Sequence, residues 1–525
     1  MGGFNWRDIL MDSSSDSTRS SCSHLFTKLP PEVLAQIFSH LPGKDVCNVS
    51  KVCKAFFDAS KVESIWQKRC RVEYGILLRD CQNGLSFMQL YTKILYKYGH
   101  MIGVWQTEVA AYGGLLQVKF EENKLVGIEW RPPSNPNLRD ALRRRDLFTI
   151  ELTEDGLLQI LCQKGSHGPH PAAIEMKKKV CFYTKCCCPE KHEYLGSKEQ
   201  EFFEWLKDET SVAHLLDVHL KELFLMKFLN IREYERNAFE HRRLRPSPPK
   251  ADAIIQPGLF KGTYSSHGLE LVLLTYDSYG TKVKVTKVTG DPNVPAGELT
   301  FKSDLQYPII LTENQQLDIQ VMRQPDAVVS PIPLHKLPLQ SFRLPAEFSP
   351  DDANIIPSTC KGRFYGWGQV AGHGFTNPSF IGGHWIIFNE DLFGFLWFEL
   401  LSLSLYHRVQ EDILSDHRTL IFMNQFLRNI LSRHKTKPRN NQSRLVNAGH
   451  VRSENIFLVS VNDKNVTEIH TLTGNSKPLG VFLVLADVNE ENLLLTERLD
   501  GIPHLKGKGD EDMASTFSGY GYEVD

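Results

Sequence analysis

Four cysteine and histidine side chains in one stretch of the chain have the chemistry of a metal site. They follow the pattern C-x7-H-x15-C-x5-H and are Cys162, His170, Cys186 and His192. Two thiolates and two imidazoles suit tetrahedral zinc, and a closed set of four protein ligands is typical of structural sites. Because the spacing is not that of a zinc finger, a polar loop with scattered free cysteines and solvated histidines is an equal alternative. Other potential ligands within reach are His167, Cys181, Cys187 and Cys188.

The sequence contains no motif that would make such a metal catalytic. An HExxH helix is absent, and no pattern indicates an open coordination position beside a general base. We therefore predict that the chain is not an enzyme. Any zinc would be structural and would hold a long crossover that has no hydrophobic core of its own.

Composition places the chain among ordinary globular proteins. It has 525 residues, of which 41% are hydrophobic and 23% charged, so two or more domains are expected. A formal net charge of -2 gives no overall field for nucleic acid or acidic membranes, and no apolar run approaches the length of a membrane span. Eleven cysteines without a secretory signal predict free thiols or metal ligands in the cytoplasm or nucleus.

Helical periodicity dominates the first hundred residues. After a Ser-rich N-terminus over 1–23, predicted to be disordered, three short amphipathic helices are expected within 24–75. Asp45 is suited to cap the second helix, and Ser60 with Glu63 predicts a capping box for the third. Each helix is shorter than a stable isolated one, so the three must stabilise one another and a partner. A linking helix is predicted within 76–100.

From residue 101 the apolar period changes from helical to two. Hairpins are predicted on both sides of Asp155-Gly156 and at several later positions, without the alternation of strands and helices that parallel sheets need. The sequence therefore predicts an α+β protein whose 101–412 region is a mainly antiparallel β barrel or sandwich. Glycines followed by aromatic residues at Gly103, Gly258 and Gly366 suit barrel corners.

Three segments interrupt this predicted barrel, and a tail follows it. They are a zinc-pinned loop over 162–192, a helical insertion over 198–240 and a Pro-rich surface loop over 321–357. The tail over 413–525 is polar and weakly periodic, and its structure is not predicted.

The N-terminal helices resemble an F-box. The strings that carry the resemblance are Leu29-Pro-Pro-Glu-Val-Leu-Ala-Gln-Ile-Phe-Ser-His-Leu-Pro, Val49-Ser-Lys-Val-Cys-Lys-Ala-Phe and Ile65-Trp-Gln-Lys-Arg-Cys. In that family the helices dock on the Skp adaptor through regularly spaced apolar side chains. The adaptor-binding residues implied here are Leu29, Pro30, Val33, Ile37 and Phe38. The alternative is a small helical core without a partner, which would bury little surface alone.

A second resemblance, to the F-box only protein 31 family, runs from about residue 24 to about residue 412. It rests on Gly258-Leu-Phe-Lys-Gly-Thr-Tyr-Ser-Ser-His-Gly-Leu-Glu, Thr286-Lys-Val-Thr-Gly-Asp-Pro-Asn-Val-Pro-Ala-Gly and Val370-Ala-Gly-His-Gly-Phe-Thr. The resemblance implies zinc at the four positions named above. It also implies a substrate class, namely C-terminal tails that include amidated ends and the C-terminal region of D-type cyclins.

The substrate-binding residues implied by these strings would lie at the mouth of a barrel. They are Tyr264, His267, Gly268, Asp291 and His373. A carboxylate at Asp291 can accept hydrogen bonds from an amide NH2 and would repel a free C-terminal carboxylate. The alternative at Gly290-Asp-Pro-Asn is a plain turn in which Asp291 caps its own backbone, and both roles can coexist. For the two glycine-flanked histidines, the alternative is a hydrogen-bonded turn residue.

The function predicted from the resemblance is that of a substrate-recognition subunit of an SCF-type ubiquitin ligase. The implied partners are S-phase kinase-associated protein 1, cullin-1 and its RING subunit, with substrates sent to the proteasome in cell-cycle control and after DNA damage. The location expected is cytoplasmic, with nucleus and centrosome left open. The alternative is a small-ligand-binding barrel or zinc enzyme whose F-box controls only its own turnover. Binding of peptides with different C-terminal ends would discriminate between them.

Overall fold

A computed structural model describes most of the chain up to residue 414. The described residues are 29–77, 81, 86–135, 137–165, 167–211, 218–236, 238–250, 253–264, 268–324, 333–350, 356–414 and five strands between 445 and 496. The chain forms two compact units, Met1–Phe422 and Met423–Asp525. The predicted disordered stretch over 1–23 lies outside the described residues.

Four short helices, rather than the three predicted, form the N-terminal module. They are Pro31–Phe38, Gly43–Val49, Lys54–Ser60 and Glu63–Tyr74. The predicted second helix is divided because Cys53 adopts an extended backbone and caps a new helix. Neither predicted cap forms. The second helix begins at Gly43, ahead of Asp45, and Ser60 ends the preceding helix instead of capping the last one.

The linking helix shares one hydrophobic core with both the N-terminal module and the first barrel. It consists of Phe87–Gln89, a π-helical Leu90–Leu95, Tyr96–Tyr98 and a 3₁₀ turn at Gly99–Met101. One hydrophobic core runs from Trp66 in the last short helix through Leu90 and Ile94 to Trp105 and Phe182 inside the barrel. Each large apolar side chain buried in this way contributes about 1.5–3 kcal/mol.

Residues 103–243 form a closed eight-stranded antiparallel barrel. Its strands are β1 Gly103–Thr107, β2 Gly114–Glu121, β3 Lys124–Arg131, β4 Arg143–Leu152, β5 Leu158–Cys162, β6 His170–Lys178, β7 Cys181–Cys186 and β8 Phe239–Arg243. Pairing of β1 with β8, in the register Trp105 to Arg243, closes the barrel. The helices Lys198–Glu209 and Val218–Arg236 connect β7 to β8, so the predicted helical insertion is confirmed except that its last residues belong to β8.

Residues 258–408 form a second antiparallel sheet that closes on itself. Its strands are β9 Gly258–Thr263, β10 Leu269–Tyr276, β11 Lys282–Lys287, β12 Leu299–Pro308, then Gly362–Gly372, Thr376–Ile387, Leu392–Trp397 and Ser402–Arg408. The last strand pairs with β9, Tyr406 lying opposite Gly262. Strand alternation predicted the hairpins but not their division into two barrels, because a hairpin pattern does not show which strands close a sheet.

Two predicted loops contain regular or packed structure. The segment 162–192 is not a coreless crossover, since β6 and β7 form a hairpin of the first barrel. Their polar, lysine-rich sequence hides the alternation. The described part of 321–357 contains the end of the helix Ile319–Met322. It also contains three short elements, Leu334–Lys336, Gln340–Ser341 and Ser349–Pro350. Its Phe342 and Phe348 are buried against the outer face of the second barrel, so it is not a simple surface loop.

Two of the three predicted glycine corners begin the barrels. Gly103 and Gly258 are the first residues of β1 and β9, with φ of 127° and 150°, a backbone region that side chains other than glycine rarely enter. Gly366 lies within a long strand instead. In the second unit, Leu445–Asn447, Ile456–Asn462 and Asn465–Leu472 form one antiparallel sheet, and Leu483–Ala486 pairs with Leu493–Thr496. None of the helices in the described residues could cross a membrane.

Candidate functional site

The four predicted metal ligands converge at one end of the first barrel. Cys162 ends β5, His170 begins β6, Cys186 ends β7 and His192 closes the 3₁₀ turn Pro189–His192. Antiparallel pairing places Cys162 opposite His170, and the β6–β7 hairpin returns Cys186 to the same end. Residues far apart in sequence are therefore brought together by strand register.

The spacing of the donor atoms matches a tetrahedral metal. His170 Nε2 lies 3.1 Å from Cys186 Sγ and 3.0 Å from His192 Nε2, and Cys162 Sγ lies 3.3 Å from His192 Nε2. All four donors lie within 4.8 Å of one another. Tetrahedral zinc with bonds of about 2.05 Å to nitrogen and about 2.3 Å to sulfur would place its ligand atoms about 3.3–3.8 Å apart. The donor set thus fits a metal after a shift of a few tenths of an ångström.

Neighbouring groups orient these donors. His170 Nδ1 lies 3.0 Å from the Gly168 carbonyl, which fixes that nitrogen as the donor and leaves Nε2 for a metal. The Cys188 backbone N–H donates to Cys186 Sγ at 3.2 Å, an interaction that favours a thiolate. Cys187 is exposed and Cys181 Sγ contacts Glu240 instead. The cluster contains the two predicted cysteines, and Cys181, Cys187 and Cys188 are not among its members.

The predicted adaptor face divides into exposed and buried residues. Val33 and Ile37 are each 39% exposed, large fractions for apolar side chains, and Pro30 is exposed while Leu29 is half-buried. Phe38 is buried and packs edge-on against Phe56. Because Phe38 shares the inward face of its helix, it belongs to the module's own core, and its contact with the adaptor stays a prediction.

The residues predicted to bind substrate lie at one mouth of the second barrel. Tyr264 and Gly268 flank the β9–β10 connection and are joined by a hydrogen bond from the Tyr264 N–H to the Gly268 carbonyl. His373 is exposed in a hairpin turn whose neighbour, Phe375, donates its backbone N–H to Pro292 in the Asp291 turn. His267 lies outside the described residues.

Asp291 is buried and has the turn-capping role considered for it. Its Oδ1 accepts the backbone N–H groups of Asn293 at 2.7 Å and Val294 at 3.0 Å, so the turn interpretation is confirmed. Its Oδ2 accepts a hydrogen bond from Lys287 Nζ at 2.5 Å. The role of Asp291 in binding substrate stays a prediction, but its carboxylate belongs to a larger buried cluster.

That cluster contains one cation and two carboxylates. Lys287 Nζ lies 2.7 Å from Glu270 Oε2 as well as 2.5 Å from Asp291 Oδ2, and all three side chains are at least 95% buried. The same ammonium lies 4.0 Å from the centre of the Tyr264 ring, a favourable cation–π distance. The Tyr264 hydroxyl is within 2.9 Å of Thr300 Oγ1 and 3.1 Å of the Tyr406 hydroxyl.

Burial and the second carboxylate raise the pKa of Glu270. Desolvation raises the pKa of Glu270 to about 8, Asp291 adds to the increase, and Lys287 opposes it. Burial also raises the pKa of Tyr264 well above its usual value, with Tyr406 and Glu270 adding to the effect. One cation cannot balance two carboxylates, so the cluster either holds an additional proton or carries a surplus negative charge.

A cleft of about 150 Å³ borders this cluster. It lies among β1–β4, the two inserted helices and the turn before Asp291, with Tyr112, Trp205 and Phe224 among its aromatic walls. Its charged walls are largely paired, for example Arg145 Nε with Glu129 Oε2 at 2.7 Å. The two carboxylates that share Lys287 differ from these walls because their negative charge exceeds the positive charge beside them.

Sequence reasoning missed Glu270 and Lys287, although a signal was present. Both are charged residues on the inward face of a strand. Glu270 lies two residues from the buried Val272, and Lys287 lies two residues from the buried Val285. A charge on the apolar face of a predicted strand indicates a buried partner. That rule would have directed attention to both residues.

Comparisons with known proteins match both halves of this architecture. An F-box-like family model matches residues 26–72, and a Cyclin D1 binding domain model matches residues 241–412. F-box only protein 31 of Rattus norvegicus is 37% identical over 465 residues, which cover 78% of this chain and 90% of the relative. F-box only protein 31 of Homo sapiens is 36% identical over 459 residues, covering 74% and 83%. F-box only protein 31-A of Xenopus laevis is 36% identical over 448 residues, covering 74% and 85%.

Proposed function

The chain belongs to the F-box only protein 31 family, and on that premise we propose that it binds the C-terminal tails of proteins for ubiquitination and proteasomal degradation. Membership makes it a substrate-receptor subunit of an SCF-type ubiquitin ligase and not a catalytic subunit. We propose two substrate classes, tails that end in a primary amide and the tails of D-type cyclins. The match over 241–412 supports the second class.

The observation that carries the proposal is the pair of carboxylates that share one lysine beside the cleft. A terminal amide has two N–H donors and no charge, so it suits a site with acceptors in excess. A free C-terminal carboxylate would meet the like charge of Asp291, and that of Glu270 once it loses its proton, in a poorly hydrated place. Such repulsion would reject nearly all ordinary protein ends.

The exposed apolar residues of the N-terminal module support docking on the Skp adaptor. Pro30, Val33 and Ile37 lie on the outer face of one helix, the arrangement of a helix that contacts a groove in its partner. Cullin-1 and its RING subunit would complete the ligase. The receptor would then act by raising the local concentration of a substrate lysine near the ubiquitin-charged enzyme, in the cytoplasm and also in the nucleus or at the centrosome.

We further propose that Cys162, His170, Cys186 and His192 hold a structural zinc ion. Zinc would tie the ends of β5, β6 and β7 to the 3₁₀ turn and would leave no open position for chemistry, because all four ligands come from the protein. A zinc enzyme is therefore disfavoured. A small-ligand barrel is also disfavoured, since the second barrel is filled by rings such as Phe301, Phe395 and Tyr406.

The test is the binding of matched peptides that end in amide or acid to the chain co-purified with its Skp adaptor, measured by fluorescence anisotropy. We expect the amide to bind at least about tenfold more tightly, a difference of about 1.4 kcal/mol, and Asp291→Asn to weaken this preference. Asp155→Asn, an exposed turn aspartate of the first barrel, is the matched control. Equal binding of both peptides, or of neither, would contradict the proposed substrate class and leave the F-box assignment intact.

A further inference from the structure

The carboxylate of Asp291 is already occupied by partners within the protein. Its Oδ1 accepts two backbone N–H groups, from Asn293 and Val294, which use both lone pairs of that oxygen. Its Oδ2 accepts Lys287 Nζ at 2.5 Å. A substrate N–H would have to compete with these hydrogen bonds, so Asp291 is better suited to hold the site together than to bind the ligand itself.

Glu270 differs from Asp291 in this respect. It is 3% exposed, and neither Oε1 nor Oε2 has a hydrogen-bond partner among the described residues. Lys287 Nζ lies 2.7 Å from Oε2, but its direction of approach gives an ion pair without hydrogen-bond geometry. A buried carboxylate without hydrogen bonds is costly, and Glu270 borders the cleft. Glu270 therefore has fewer partners than Asp291, an ion pair with one ammonium against three hydrogen bonds.

We propose that Glu270, rather than Asp291, is the residue that accepts the N–H groups of a substrate's terminal amide. The inference rests on the proposed function and assigns its selectivity to a specific side chain. The two donors of the amide nitrogen meet the two oxygens of Glu270, and Lys287, whose ammonium has three donors, can bind the amide oxygen. Asp291 positions Lys287 and the turn.

Selectivity should then depend on the protonation of Glu270. The ionisable groups that face it are Lys287 on β11, Asp291 in the following turn, Tyr264 after β9 and, through Tyr264, Tyr406 on the last strand of the barrel. Tyr264 is not expected to ionise, because burial holds its pKa well above the usual value, and its hydroxyl is hydrogen-bonded with that of Tyr406. Glu270, Lys287 and Asp291 therefore determine the net charge of the buried cluster.

Loss of the proton from Glu270 makes it a stronger acceptor and adds repulsion against a free carboxylate. Burial raises the pKa of Glu270 to about 8. Between about pH 6 and about pH 9, binding of an amide should therefore strengthen and binding of an acid should weaken. The ratio of the two affinities isolates this effect from any general effect of pH on the protein.

The experiment measures that ratio for N-acetylated peptide pairs bound to the full chain with its Skp adaptor. We expect the amide-to-acid ratio of the natural sequence to rise at least about tenfold between about pH 6 and about pH 9. Glu270→Gln should lower the amide preference and remove the pH dependence. Asp291→Asn should also weaken the preference but keep the pH step at lower pH, because Asp291 helps to raise the pKa of Glu270. Glu154→Gln, an exposed turn residue, is the matched control and should behave like the natural sequence.

The outcomes separate this inference from the proposed function. If the natural sequence prefers the amide and Glu270→Gln retains both the preference and its pH step, the assignment to Glu270 is wrong and the proposed function stands. If the natural sequence shows no preference, both fail. Should Glu270→Gln not fold, the decision passes to the pH series on the natural sequence and to Glu270→Asp. A flat ratio in the natural sequence overturns the inference, and a shifted step in Glu270→Asp supports it.

Discussion

Substitution of Glu270 by glutamine should make the ligand-free protein more stable at high pH. The pKa of Glu270 is raised from 4.5 to about 8, chiefly by burial. Below about pH 4.5 the carboxyl is protonated in both the folded and unfolded chain, so it contributes no pH dependence. Between about pH 4.5 and about pH 8 only the folded chain keeps the proton, and the free energy of unfolding falls as pH rises.

The size of this penalty follows from the same two pKa values. At about 1.4 kcal/mol per pH unit, a rise from 4.5 to about 8 corresponds to at most about 5 kcal/mol, reached near pH 8 and constant above it. Glutamine has nearly the same shape and cannot ionise, so the variant lacks the penalty. It also loses the ion pair with Lys287, which offsets part of the gain. We therefore expect a net advantage of a few kcal/mol at about pH 9.

Hydrogen exchange of the backbone amides in β10 and β11 provides the assay. Comparison of Glu270→Gln with the natural sequence at each pH cancels the intrinsic pH dependence of exchange, and the Glu154→Gln control corrects for handling. Protection of these two strands should be similar in the two proteins near pH 5. It should become progressively greater in the variant above that pH. Parallel protection at every pH would refute the claim that a buried, protonated Glu270 is part of the folded state.

The remaining predictions concern the metal site, the adaptor face and the shared core. The natural sequence should contain about one zinc ion per chain, measured by mass spectrometry of the metal, and Cys162→Ser should lose this zinc and unfold at a lower temperature. Cys187→Ser, which changes an exposed cysteine, should keep the zinc and the unfolding temperature. Zinc retained by Cys162→Ser would contradict the ligand set. Ile37→Asp should abolish pull-down of the Skp adaptor with little effect on thermal unfolding, but Phe38→Ala should destabilise the module by about 3–5 kcal/mol. Equal effects of these two substitutions would contradict the assignment of Ile37 to an exposed adaptor face and Phe38 to the buried core. Trp105→Ala, at the centre of the first barrel, should lower the free energy of unfolding by a similar amount, measured by thermal unfolding.

Local patterns predicted local structure well. The hairpin at Asp155-Gly156, the linking helix and the helical insertion all depend on contacts near in sequence, and the structure confirms them, with two helices in the insertion. The F-box strings were recognisable because each apolar residue has a fixed place on a short helix. Closure into two barrels was not predictable in this way, since it depends on pairings such as Trp105 with Arg243 that no local pattern reveals.

The same distinction explains the candidate sites. Cys162, His170, Cys186 and His192 are chemically distinctive, so their types indicated a cluster before strand register showed that they meet. Lysine and glutamate are common at surfaces, and nothing about either residue in isolation indicates burial. Strand alternation marks both as charges on an inward face, but only the pairing of β10 with β11 shows that Glu270 lies beside Lys287.

The continuous core between the F-box and the first barrel has a consequence for how a ligase would use this receptor. Glu73 in the last F-box helix accepts hydrogen bonds from the Gly43 backbone and, at 2.5 Å, from the Tyr91 hydroxyl of the linking helix. The Tyr91 ring packs against Trp66 at 5.1 Å, and the same core continues to Trp105. A flexible linker would let a bound substrate sample many distances from the adaptor, and its effective concentration at the ubiquitin-charged enzyme would fall. A shared core holds the adaptor face and the first-barrel wall of the cleft in one fixed geometry. Which substrate lysines are modified should therefore depend on their distance from the bound tail.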